Sequence, residues 1–187
     1  MRLTMSLIAL GLGMISTIQL RPSGPAAFVL LAVVFFIFAI PEELGWRGYV
    51  LPKLLERRSP LAIGLIVDML WGLLHLALHL PGLMFAGLPP LATLLQLIGL
   101  SVLITWLYMR TDGNILLTSF FHAAQSFLVI FNDGIPAIQL VWLMAGVYLV
   151  LALIVVLATG SRLTRKPIAG IVQTVKAPNR DQPLAWK

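Results

Sequence analysis

Four stretches of this chain contain no Asp, Glu, Lys or Arg over a length suited to a membrane: residues 3–20, 22–41, 82–109 and 134–161. A helix needs about 20 predominantly apolar residues to cross the hydrocarbon core of a bilayer, and a charge left inside is costly. Two further runs are apolar except for single polar residues. Residues 60–80 carry Asp68, His75 and His79, and residues 114–131 carry His122. Together they predict an all-α, polytopic transmembrane bundle of about six spans. Turn-forming clusters separate them: Pro22-Ser-Gly-Pro25, Pro81-Gly82, Pro89-Pro90, Asp112-Gly-Asn114 and Asn132-Asp-Gly-Ile-Pro136.

Composition agrees. The 187 residues are 59% hydrophobic and 11% charged, against about 25% charged in soluble domains. Soluble, disordered and nucleic-acid-binding classes are excluded on that ground, and the chain has no Cys to form a disulfide, a thiolate metal ligand or a nucleophile. The net charge of +6 is a matter of topology. Arg2, Lys53, Arg57, Arg58 and Arg110 alternate onto one face together with a tail holding Arg162, Arg165, Lys166, Lys176, Arg180 and Lys187, while the other face holds Arg21. Basic loops mark the cytoplasm, so both termini are expected there, in the plasma (inner) membrane. Residues 1–160 are read as the bundle and 161–187 as a basic cytoplasmic tail near anionic lipid. The first span also reads as a signal anchor or a cleaved signal peptide.

Topology leaves Glu42, Glu43, Arg47, Asp68, His75, His79 and His122 unexplained. Ionisable residues at membrane depth usually face the bundle interior and mark a site, although a buried Glu–Arg pair or a lone His also serves as a structural bond between helices. Pro41 either kinks the second span or opens a new helix whose first turn holds both Glu. Glu43 and Arg47, at i and i+4, share a helix face and are expected to pair. Glu42, five positions from Arg47, points away at 3.6 residues per turn and is left free for chemistry. Gly45 and Gly48 are expected to admit a neighbouring backbone, and Ala123 and Ala124 to mark close packing beside His122.

Asp68, His75 and His79 repeat at seven and four residues, roughly one face of a helix. Ser126 follows His122 by one turn on its face, whereas Gln125 lies about 100° around the helix and is not expected to substitute for it. Glu42 and His122 each lie about 14 Å from the basic face, suggesting access from the cytoplasm, while His75 lies about 22 Å away. A Glu with two His suffices either to bind zinc or to hold a water against a scissile carbonyl.

These residues resemble the CPBP family, the CAAX protease and bacteriocin-processing intramembrane endopeptidases, also known as the abortive-infection family. Its Glu-Glu-x-x-x-Arg motif is matched by Glu42, Glu43 and Arg47. An aromatic residue four before a His is matched by Trp71 and His75, with Trp in place of the usual Phe. His-x-x-x-Asn is matched by His122, with Ser126 where Asn is usual. The resemblance covers residues 25–160 and implies that Glu42 activates a water, Glu43 and Arg47 support it, and His75 and His122 position the water or stabilise an oxyanion. Ser126 alters that last site, since its hydroxyl is shorter than an amide. His79 would have His75 as its residue at minus four, which favours His75 as the motif His, and Asp68 has no counterpart in the motifs.

The family includes proteins named metalloproteases and others with a proposed metal-free glutamate route. No His-Glu-x-x-His is present, so a zinc site would have to be assembled across helices from His75, His122 and Glu42. The expected partners are the bilayer and a peptide or protein substrate, prenylated or otherwise membrane-anchored, and not nucleic acid. A non-proteolytic scaffold or bacteriocin-immunity protein using the same cluster is the alternative, kept open by Ser126. A proton-coupled transporter is disfavoured because no inverted repeat of broken helices is visible.

Overall fold

The computed structural model describes residues 25–130 and 136–164, all of whose regular elements are helical. The expected span at 3–20, Arg2, Arg21, the break after Asn132 and the tail from Arg165 onward lie outside the described residues. Helix α1 (Pro25–Glu43) passes into a π-helical segment, Leu44–Val50, and closes in a short α2 (Leu51–Leu54). Pro41 sits inside α1, so it does not open a new helix. It lacks the N–H that would continue the α pattern, and its ring crowds the carbonyl four residues earlier. The following turns are wider, and the Leu51 N–H bonds to the Trp46 carbonyl, five residues back.

Helix α3 (Pro60–Leu76) begins at Ser59, whose hydroxyl accepts the Ala62 N–H at 3.4 Å, with Pro60 in the first turn. It tightens into a 3₁₀ turn at Ala77–His79. The chain then reverses through Gly82 and Gly87, whose φ angles of 83° and 82° suit glycine. Helices α4 (Pro90–Arg110), α5 (Ile115–Ile130) and α6 (Ala137–Thr159) complete the body. Asn114 caps α5 by accepting the Leu117 N–H at 3.0 Å.

Helix α4 is central, packed by α3 and α6, while α1 packs on α5. Ile63, Val67 and Trp71 of α3 face Leu100, Ile104 and Tyr108 of α4 in one core. Leu163, beyond α6, is fully buried in the same cluster, so the chain stays packed a few residues past the expected start of the tail. The outer faces display Phe28, Val33, Ile37, Leu73, Leu153 and Leu157. Exposed apolar stripes on helices of this length suit lipid.

Among the described residues, four segments are long and apolar enough to cross a membrane: Pro25–Leu54, Pro60–His79, Pro90–Arg110 and Ala137–Arg162. Helix α5 has 16 residues, about 24 Å at 1.5 Å per residue, against a core of about 30 Å. Its last described residue, Ile130, adjoins residues 131–135, which lie outside the described residues, so the fifth expected span is described only in part.

Close helix approach occurs where the sequence did not point. A Cβ on Gly99 would lie 2.7 Å from the Tyr148 carbonyl carbon, so α4 and α6 meet there backbone to backbone. Gly45 has nothing within 4 Å of such a Cβ, and Gly48 only ordinary contacts from 3.6 Å. Among the described residues, no backbone from a neighbouring helix approaches either glycine within 4 Å.

Candidate active site

The Glu-Glu-x-x-x-Arg segment straddles the change from α to π helix, which aims its two carboxylates at different neighbours. Glu43 is 0% exposed, and its Oε1 accepts from Arg47 Nη1 and from His122 Nδ1, each at 3.0 Å. The Arg47 guanidinium, 1% exposed, also donates through Nη2 to Ser101 Oγ on α4 and lies 6.0 Å from the Trp71 ring centroid. The expected Glu43–Arg47 pair thus forms and ties the end of α1 to α4 and α5. Glu42 is only partly buried, and its Oε2 accepts the Trp71 indole N–H at 2.9 Å. One carboxylate locks helices together while the other stays reachable.

His75 and His122 approach Trp71 edge-on, with ring centroids 4.8 Å and 5.3 Å from it. His75 Nδ1 is 2.8 Å from the Trp71 carbonyl oxygen. A carbonyl only accepts, so this nitrogen carries the proton and Nε2 is left with a lone pair. His122 Nδ1 likewise faces a carboxylate oxygen, leaving Nε2 as its free nitrogen. Glu42 and His122 both lie within electrostatic reach of His75.

Glu42, Trp71, His75 and His122 line a cavity of about 310 Å³, with Phe35 and Ala39 of α1, Phe85 of the α3–α4 connection, Thr93, Gln96 and Leu97 of α4, and Gln125 and Ser126 of α5. Its walls are mainly apolar, as ligand sites usually are. Phe85 stacks on His75 at 5.9 Å between centroids. Glu43 and Arg47 lie behind the wall and act on the cavity only through His122 and Trp71.

Ser126 Oγ donates to the His122 carbonyl and accepts from Gln125 Nε2, both at 3.2 Å, so its hydroxyl proton is committed to its own helix. Gln125 borders the same cavity, and its Oε1 accepts from Tyr148 at 3.4 Å and Gln96 at 3.5 Å. Gln125 and Ser126, about 100° apart around the helix, both border this space because it is wider than one side chain. Gln96 was missed by sequence reasoning. Its signal was present: it is the one amide side chain in the charge-free run 82–109.

His79 turns to Thr93, with Nε2 at 3.2 Å from Oγ1. Asp68 is fully buried behind the cavity. His75 and His79 both pack on Phe85, at 5.9 and 5.5 Å between ring centroids, whereas Asp68 is not among the residues lining the cavity.

The cavity also has a definite position along the bundle. A Cβ on Gly64 would touch Thr105 and one on Gly72 would touch Leu94, so α3 and α4 run antiparallel. His75, Phe85, Thr93 and Gln96 consequently gather at one end of the bundle, and the loops bearing Arg57, Arg58 and Arg110 lie at the other. The sequence depths of Glu42 and His122 suggested access from the basic side, whereas the cavity lining extends to Phe85 and Thr93, at the end away from the basic loops.

Lipid-suited helices around an interior cavity bearing an accessible carboxylate and two imidazoles define an integral membrane protein with an acid–imidazole site. The chain belongs to the family described as Type II CAAX prenyl endopeptidase Rce1-like, which it matches over residues 24–128. That range contains every motif residue from Glu42 to Ser126. The chain is 28% identical over 121 residues to CAAX prenyl protease 2 of Methanococcus maripaludis, covering 61% of this chain and 41% of that relative. It thus spans less than half the length of the curated relative it matches. No solved structure matches it.

Proposed function

We propose that this protein is an intramembrane endopeptidase of CAAX-protease type, hydrolysing a peptide bond in a prenylated or otherwise membrane-anchored peptide. The observation that carries this reading is the division of labour between adjacent carboxylates. Glu43 is consumed by Arg47 and His122, while Glu42 faces the cavity with one oxygen held by Trp71 and the other available to a water.

In the proposed reaction, Glu42 takes a proton from the water as its oxygen attacks the carbonyl carbon. The same proton then passes to the leaving amine. His122 is oriented by Glu43, and in its imidazolium form its Nε2–H would donate to the developing oxyanion. His75, fixed by the Trp71 carbonyl, accepts through Nε2 from the water or the peptide N–H. Gln125 and Ser126 border the same space, where an amide donor and a short hydroxyl contact the peptide.

The two imidazoles hold the tautomer a metal ligand needs, each donating its other N–H to an oxygen. Yet among the described residues no three His, Asp or Glu side chains converge as a ligand set. His75, His122 and Glu42 would have to draw together to hold zinc, and the proposed steps use none.

Glu42→Gln should lower cleavage of a membrane peptide by about 100-fold or more, general-base catalysis being worth 10²–10⁴, with the protein still folded. Unchanged cleavage in this variant would remove Glu42 from the reaction. Wild-type protein assayed with and without chelator, alongside metal analysis, separates the metal-free route from a metal-dependent one.

The proposed topology retains six spans with both termini cytoplasmic, in the plasma (inner) membrane. With the basic loops inside, the cavity end faces the opposite side. Substrate entry from the cytoplasm therefore requires the reverse orientation of the bundle.

A further inference from the structure

Behind the cavity wall lies a second polar cluster that the proposed chemistry does not use. Asp68 is 0% exposed, and neither of its oxygens has a hydrogen-bond partner among the described residues. The same holds for Arg47 Nε, Thr105 Oγ1, Ser119 Oγ and Glu43 Oε2, all on residues no more than 1% exposed. Buried polar groups in folded proteins are rarely left unpaired, and each such case calls for a partner.

The register of α3 against α4 brings Asp68 near Ser101 and Thr105. Gly64 faces Thr105 and Gly72 faces Leu94, so Asp68, one turn after Gly64, lies level with Ser101, one turn before Thr105. Ser101 Oγ already accepts from Arg47 Nη2, and Arg47 is the charged group within reach of Asp68. Asp68 and Arg47 thus both approach Ser101, with Thr105 one turn further along α4. A buried water makes two to four hydrogen bonds, and this site offers carboxyl oxygens to accept, a guanidinium N–H to donate and a hydroxyl able to do either. A cation is a poor occupant, since the guanidinium already holds that charge and no third acidic or imidazole group converges among the described residues.

We infer that Asp68, Thr105 and Arg47 enclose an ordered-water site in which Asp68 holds Arg47 from the side opposite Glu43 through hydrogen bonds to water. Asp68 is then a positioning residue: it fixes Arg47, which fixes Glu43, which orients His122. Its effect on turnover rests on the hydrolytic reading of the Glu42 site, whereas the water site itself does not.

Infrared spectra of the purified protein in H₂¹⁶O and H₂¹⁸O test the site directly. A hydrogen-bonded water O–H band that shifts with the oxygen isotope is expected in wild type and in Asp68→Asn, and is expected to be lost in Asp68→Ala. In peptide cleavage, Asp68→Ala should lower kcat about tenfold, the effect of one unsatisfied buried group, with KM unchanged. Asp68→Asn should stay within about twofold of wild type, because it keeps a polar pair at that position. A band that persists in Asp68→Ala, or full turnover in that variant, overturns the inference. If Asp68→Ala does not fold, Thr105→Val, which keeps the packing and removes one partner, should shift the band, and an unshifted band overturns the inference. If wild type cleaves nothing, the hydrolytic reading fails and the isotope shift alone decides the water site.

Discussion

Glu42 and Glu43 are neighbours in sequence, yet a single turn of helix gives them unrelated work. Glu43 has no exposed surface and shares one oxygen between Arg47 and His122, whereas Glu42 borders the cavity and is held by one indole N–H. Their replacements should therefore fail differently. Glu43→Ala leaves Arg47 buried without its partner and should destabilise the protein by about 3–5 kcal/mol, seen as an earlier midpoint in denaturation from detergent micelles. Glu42→Ala should leave that midpoint nearly unchanged. Equal midpoints for the two variants would show that the Glu43–Arg47 pair does not hold the helices together. The pairing of Glu43 with Arg47 was legible from their i, i+4 spacing. The bond from Trp71 to Glu42 was not, because it joins residues on different helices, and nothing in a linear pattern fixes how helices rotate against each other.

Among the elements, the α-to-π change after Pro41 and the crossing of α4 with α6 carry the most consequence. The first follows from proline's missing donor and was readable as a disturbance at Pro41, though not as a wider turn. The second rests on Gly99, which nothing in its apolar surroundings singled out. A Cβ there would sit 2.7 Å from main chain, which cannot rotate aside. Gly99→Ala should therefore force α4 and α6 apart at a cost of about 1–3 kcal/mol, as for other overpacked interiors. Gly45→Ala, with open space around the new methyl, should not lower stability. Detergent unfolding of both variants checks the contrast, and a Gly99→Ala midpoint at or above that of Gly45→Ala would mean the crossing yields easily.

For the whole molecule, charge and cavity point to opposite ends of the bundle. Arg57, Arg58 and Arg110 cluster at one end, where the positive-inside tendency assigns the cytoplasm. The cavity residues His75, Phe85 and Thr93 lie at the other. Since the chain has no native Cys, single cysteines report topology without background. With the basic loops inside, Arg58→Cys should react with a membrane-impermeant maleimide only from the cytoplasmic side, and Pro81→Cys only from the opposite side. The reverse pattern would turn the bundle over and bring the cavity to the cytoplasm. Reaction of both from one side would overturn the antiparallel arrangement of α3 and α4 across the membrane.

The sequence by itself determined the solvent this chain folds in, the position of its helices, and the few polar residues that lipid does not explain. Those properties depend on local composition and spacing, which the bilayer converts into length and charge rules. Tertiary structure alone decided that Glu42 borders a cavity, that Gln96 and Gln125 share it, and that Asp68 is fully buried. Each of these depends on how one helix is turned and shifted against another. That rotation is set by side-chain packing summed over the whole interface, and no single stretch of sequence contains it.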